Sequence, residues 1–134
     1  MARASEAWKK QKDSFMAYVD GFVLIVPSAK LDAYKKLAQK AAKLWKEHGA
    51  LEYCECVGDD MEPPMGKPFP KLAKAKEGDL VVFAYITFKS RAHRDKVNKA
   101  VMADERVHAM CDMDNMPFDP KRMSYGGFSV LVKV

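Results

Sequence analysis

Apolar residues recur along this chain in two rhythms, one of period two and one of three to four. Met16 to Val26 is rich in aromatic and β-branched residues and predicts a strand. Tyr18, Phe22, Leu24 and Val26 fall on one face, and Val19, Val23 and Ile25 on the other, so both faces are apolar. Pro27 ends the run, and Ser28 is placed to cap a helix reaching about His48. Leu31, Tyr34, Ala38, Ala41 and Trp45 form the apolar stripe of that helix, with lysines around the rest. Gly49 supplies its stop. Ala50 to Val57 predicts a second strand, with Leu51, Tyr53, Glu55 and Val57 on one face and Glu52, Cys54 and Cys56 on the other.

Residues 58–70 hold Pro63, Pro64, Pro68 and Pro70 and predict a loop, long enough to carry function or reach a partner subunit. Lys71 to Lys76 has room for one helical turn. Asp79 to Phe88 is the clearest strand: Leu80, Val82, Ala84, Ile86 and Phe88 line one face, and Val81, Phe83, Tyr85 and Thr87 the other. Ser90 predicts the cap of a helix to about Ala103, and Asp104 the cap of a shorter one to about Met113. Arg122 to Val134 predicts the last strand, with Gly126 and Gly127 marking a bulge or a close approach.

The order is β-α-β-β-α-β with an extra short helix, the ferredoxin-like pattern of an α+β domain with an antiparallel sheet. Helices cover one face of such a sheet, and the other is ordinarily polar. Here the other face is apolar as well, and a soluble monomer rarely leaves such a patch open. The expectation is a homodimer with sheet packed on sheet. Residues 16–134 make one domain, and residues 1–15 a polar N-terminal extension with a loose helical spacing that Trp8 and Phe15 could dock.

Composition changes this picture little. The 134 residues suffice for one core, with 49% hydrophobic and 31% charged residues. No apolar run is long enough to span a membrane, and the first fifteen residues lack the apolar segment of a secretory signal. The net charge of +5 is spread over helix-surface lysines rather than gathered in a patch, so nucleic acid is not the expected partner. Three cysteines in no disulfide framework fit free thiols in a reducing cytoplasm.

Candidate chemistry is sparse. Asp20 and Glu55 are carboxylates in otherwise apolar strands, where burial would raise the pKa of either toward general acid–base use. His93, in a first helical turn, would lose basicity to the helix dipole. These three are the catalytic candidates. Arg91 and Arg94 flank His93 at a helix start suited to anions, and Arg122 and Tyr125 open the last strand; these four are the ligand-binding candidates. Arg122 is equally a partner for Asp20 or Glu55. His108 and Cys111 are spaced as a metal pair, but two ligands do not make a site, and no metal or cofactor is expected. Met102, Met110, Met113, Met116 and Met123 offer adaptable apolar packing, as core or as pocket lining.

Two resemblances bear on function. Phe83-Ala84-Tyr85-Ile86-Thr87-Phe88 resembles the end of the RNP1 motif of RNA-recognition domains, although Val81 and Val82 stand where the motif has a basic residue and glycine. A second resemblance covers nearly the whole chain from Met16. Tyr18-Val19-Asp20-Gly21-Phe22, Glu47-His48-Gly49-Ala50-Leu51-Glu52-Tyr53, Lys89-Ser90-Arg91-Ala92-His93-Arg94-Asp95, Met116-Pro117-Phe118-Asp119 and Lys121-Arg122-Met123-Ser124-Tyr125-Gly126-Gly127-Phe128 carry it. These strings resemble the bacterial YbaA-like family, which has no established activity. The resemblance implies a dimeric α+β barrel, a group that includes small monooxygenases, haem-degrading proteins and members with no known reaction. It assigns no catalytic residue. Two functions follow as expectations: a homodimeric module that binds a small apolar or anionic ligand or acts through protein contacts, or a cofactor-independent monooxygenase-like enzyme. RNA binding is a distant third.

Overall fold

The computed structural model describes residues 17–112 and 114–134. The expected extension and the strand start at Met16 fall outside these residues, and the helix expected to reach about Met113 ends at Met110. The elements run β1 (Tyr18–Pro27), a 3₁₀ turn (Ser28–Lys30), α1 (Leu31–Glu47), β2 (Glu52–Val57), α2 (Phe69–Leu72), β3 (Asp79–Phe88), α3 (Arg91–Met102), α4 (Glu105–Met110), a second 3₁₀ turn (Pro120–Arg122) and β4 (Ser124–Ser129). The four strands form one sheet in the order β2-β3-β1-β4, every neighbouring pair antiparallel. The chain is therefore an α+β protein, with β1 and β3 paired along their full length at the centre of the sheet.

Helices take one face of this sheet. Tyr18, Ile86 and Phe88 pack with Leu44 of α1, Val97 and Val101 of α3 and Val107 of α4 in one buried cluster. Leu24, Val26 and Val82 pack with Tyr34 in a second. Each fully buried Val or Phe here contributes about 1.5–3 kcal/mol through removal from water. On the opposite face the register partners Ile25 and Val81 are buried, Val19, Val23 and Tyr85 are half-buried, and Phe83 and Phe128 are 46% and 61% exposed.

Local signals explain most boundaries. Ser90 accepts a hydrogen bond from the His93 amide, and Asp104 from the Arg106 amide, so both expected caps start α3 and α4. At the end of α1 the Ala50 amide returns to the Trp45 carbonyl and the Gly49 amide to that of Lys46, a Schellman closure with Gly49 at φ +114°. Ser28 is a correction. Its amide is tied to the Gly78 carbonyl, 2.9 Å away, so it enters a 3₁₀ turn behind Pro27, and α1 starts at Leu31 with no side-chain cap. The last strand is shorter than expected. Asp119 caps a 3₁₀ turn through the Lys121 amide, which delays β4 to Ser124, and its pairing with β1 ends where Ser129 meets Tyr18.

Gly127 marks a close approach and not a bulge, since the β1–β4 register continues through it opposite Asp20. A Cβ built there would lie 2.6 Å from Arg94 Nη2 and 2.7 Å from Tyr18 Cε2. Gly127→Ala is expected to lower stability by about 1–3 kcal/mol, as overpacking does in a filled site. Urea denaturation measures it; an unchanged midpoint would show that the Tyr18–Arg94 pair is free to shift.

Candidate functional site

The helix-facing side of the sheet is not uniformly filled. Register places Glu55, Ala84, Phe22 and Tyr125 in one row across β2, β3, β1 and β4. The row toward one end centres on Ile86 and belongs to the first cluster; the row toward the other centres on Val82 and belongs to the second. Phe22 touches both clusters. Ala84, between them, has only a methyl group to offer, and above it lies a cavity of about 300 Å³. That volume is at the small end of ligand pockets.

The walls are apolar. Phe22, Leu24, Ala84 and Ile86 make the floor, and Leu37, Ala38, Ala41 and Trp45 of α1 one side. Met102, Met110, Met116 and Met123, with Phe118, close it from the C-terminal half. Four of the five late methionines thus line the cavity; Met113 lies outside the described residues. Met102, His108 and Cys111 are exposed as well as lining, and they mark the rim.

One carboxylate belongs to this wall. Glu55 accepts a hydrogen bond from the Tyr34 hydroxyl on Oε1 and from the Tyr53 hydroxyl on Oε2, the latter at 2.8 Å. Burial pushes the pKa of both phenols well up, and the Glu55 charge pushes it further, so both stay protonated as donors. Tyr53 reaches Glu55 because residues i and i+2 share a strand face; Tyr34 reaches it because α1 lies across that face. Trp45 packs against Tyr53, with ring centroids 6.1 Å apart.

Asp20 is elsewhere. It is buried on the adjacent row, and Asn98 Nδ2 donates to its Oδ2 at 3.2 Å while Arg94 Nε lies 3.4 Å from its Oδ1. Burial raises its pKa, against the hydrogen bond from Asn98 and the charge of Arg94. Arg94 also donates to the Tyr18 hydroxyl at 3.0 Å and lies over the Tyr18 ring. Trp45 Nε1 donates to Asn98 Oδ1, which joins this network to the cavity wall.

The other candidates are dispersed. His93 accepts a bond from the Lys89 amide through Nδ1 and packs edge-on to Phe88. Arg91 is exposed while Arg94 turns inward, so the three basic residues of that helix start do not converge. Arg122 bonds the Lys74 carbonyl and faces Asp79, and meets neither Asp20 nor Glu55. Tyr125 is 72% exposed and stacks on Phe22. Cys54, Cys56 and Cys111 are free thiols, with Cys54 and Cys56 sulfurs 3.8 Å apart. Among the described residues no three His, Cys, Asp or Glu side chains are grouped to hold a metal.

The family model described as "Protein of unknown function (DUF1428)" matches residues 17–120. The chain belongs to this family. The DUF1428 match spans β1 to the start of the second 3₁₀ turn and includes most of the cavity wall. "Uncharacterized protein YbaA" of Escherichia coli (strain K12) is 44% identical over 117 residues, 87% of this chain and 98% of that protein. The protein of the same name in Shigella flexneri matches to the same extent. The family resemblance read from the sequence strings is therefore established, and no activity comes with it.

A separate polar cluster joins α1 to α4. Asp104 accepts from Arg106 and from His48 Nε2 at 2.8 Å, and Arg106 also reaches Glu47. The Arg106 side chain first, and His48 second, hold the Asp104 carboxyl well below its ordinary value of 3.8. A lowered folded-state pKa gives stability that is present above the unfolded-state value and lost as pH falls through the folded one. Wild type should therefore lose stability as pH drops below about 4. Asp104→Asn keeps a capping oxygen but not the charge, and should be less stable at neutral pH with a flatter acid limb. Urea midpoints between neutral and strongly acidic pH measure this; parallel curves would contradict it.

Proposed function

We propose that this protein is a homodimeric binding module for a small, mainly apolar ligand held between sheet and helices. The observation that carries the reading is the cavity over Ala84: apolar walls and a single hydrogen-bonded carboxylate are what a small-molecule site consists of. The monooxygenase-like alternative calls for two of Asp20, Glu55, His93 and Arg122 in one closed pocket, and of these only Glu55 lines the cavity. Binding without catalysis fits that distribution better.

Ligand binding to the folded state alone raises stability with ligand concentration. Small aromatic and aliphatic compounds should therefore raise the melting temperature of the wild type in a concentration-dependent way. Ala84→Leu, checked for folding by circular dichroism, fills the floor and should abolish that rise. A screen in which no compound shifts the wild type, or in which Ala84→Leu responds equally, would sink the reading.

For the dimer, the four-stranded antiparallel sheet and the exposed aromatic residues on its other face support a sheet-to-sheet partner of the α+β barrel type. Phe83 and Phe128 are exposed on a face whose strand positions carry no lysine or arginine. RNA needs basic residues beside its stacking aromatics, and a second copy needs only the apolar surface. The free thiols support a reducing, cytoplasmic setting. Sedimentation at micromolar concentration should give a dimer, and Phe128→Glu a monomer. A monomeric wild type would remove the dimer from the account.

A further inference from the structure

Glu55 is a carboxylate without a cation. Among the described residues its polar partners are the two tyrosine hydroxyls, and no lysine, arginine or histidine nitrogen comes within ion-pair distance. Two donors leave part of its accepting capacity unused, since an ionised carboxylate offers about four lone-pair sites. An ionised group in apolar surroundings is costly unless it is paired. Among the described residues the cavity walls add no lysine or arginine, and His108 and Cys111 stand at the rim. Aromatic rings of Phe22, Tyr34, Trp45, Tyr53 and Phe118 surround the space, and the faces of such rings attract cations.

We infer that the cavity selects organic amines: a protonated ammonium group held by Glu55 between Tyr34 and Tyr53, with an apolar body against the methionines. The inference rests on the binding reading above and adds the chemical class of the ligand. It also changes the sign expected from the sequence, which allowed for an anionic ligand. A carboxylate ligand would meet Glu55 with like charge and find no arginine in the wall.

A matched series tests it on the unaltered protein: phenethylamine, phenethyl alcohol and phenylacetate, titrated by calorimetry at neutral pH. The amine should bind about tenfold tighter than the alcohol, because its ammonium adds ion-pair attraction to a hydrogen bond that either group can give the carboxylate. Phenylacetate should bind more weakly than the alcohol. In Glu55→Gln, checked for folding by circular dichroism, the amine should lose its advantage over the alcohol. If all three bind alike, or phenylacetate binds best, the amine inference falls and the cavity remains a ligand site. If none of the three binds, the amine inference falls, and the broader compound screen then decides whether the cavity is a ligand site. If the amine keeps its advantage in Glu55→Gln, its ammonium sits elsewhere and the assignment to Glu55 is overturned.

Discussion

The pairing of β1 with β3 is the constraint on which the rest of the molecule depends. Both strands are apolar on both faces and sit at the centre of the sheet, joined over their full length. One face must be covered by helices and the other calls for a second cover. On the helix side the cover is two clusters rather than one, because a single small residue, Ala84, interrupts the row of larger side chains on β3. Where the clusters part, the cavity opens. The same pairing sets Glu55 beside Ala84, so the one carboxylate of the wall stands where packing is thinnest.

Buried Asp20 and half-buried Glu55 are treated oppositely. Asp20 receives an amide donor and a guanidinium, and Gly127 opposite it leaves room for the Tyr18–Arg94 pair. That arrangement packs β1 against α3, with Arg94 Nε buried and without a hydrogen bond of its own. Among the described residues Glu55 receives two neutral hydroxyls and no cation, in a wall that continues into empty space. Such a group is costly to keep unless something compensates its charge. The proposed ligand site is therefore at Glu55, while Asp20 belongs to the packing of β1 against α3.

Much of this was legible in the sequence. The alternation of β3 placed Ala84 and Ile86 on one face, and that of β2 placed Tyr53 with Glu55. Ser90 and Asp104 announced their caps through local chemistry alone. What was not legible depended on docking between distant elements. Tyr34 and Glu55 are 21 residues apart, and only the lie of α1 on the sheet brings them together. The partner of Asp20 is Arg94 and not Arg122, because Arg122 precedes Ser124, whose register partner is Val23, toward the far end of β1. Ala84 reads as an ordinary core alanine until the two clusters beside it are seen to stop short of each other.

The central claim is about place: a ligand enters between sheet and helices over Ala84. Methyl-labelled methionine NMR reads this directly, because four methionines line the cavity while Met65 is 82% exposed on the loop after β2. On addition of a compound that raises the melting temperature, the methyl signals of Met102, Met110, Met116 and Met123 should shift in a saturable way and that of Met65 should stay in place. Unmoved cavity methyls, or shifts confined to Met65 and its neighbours, would contradict the account.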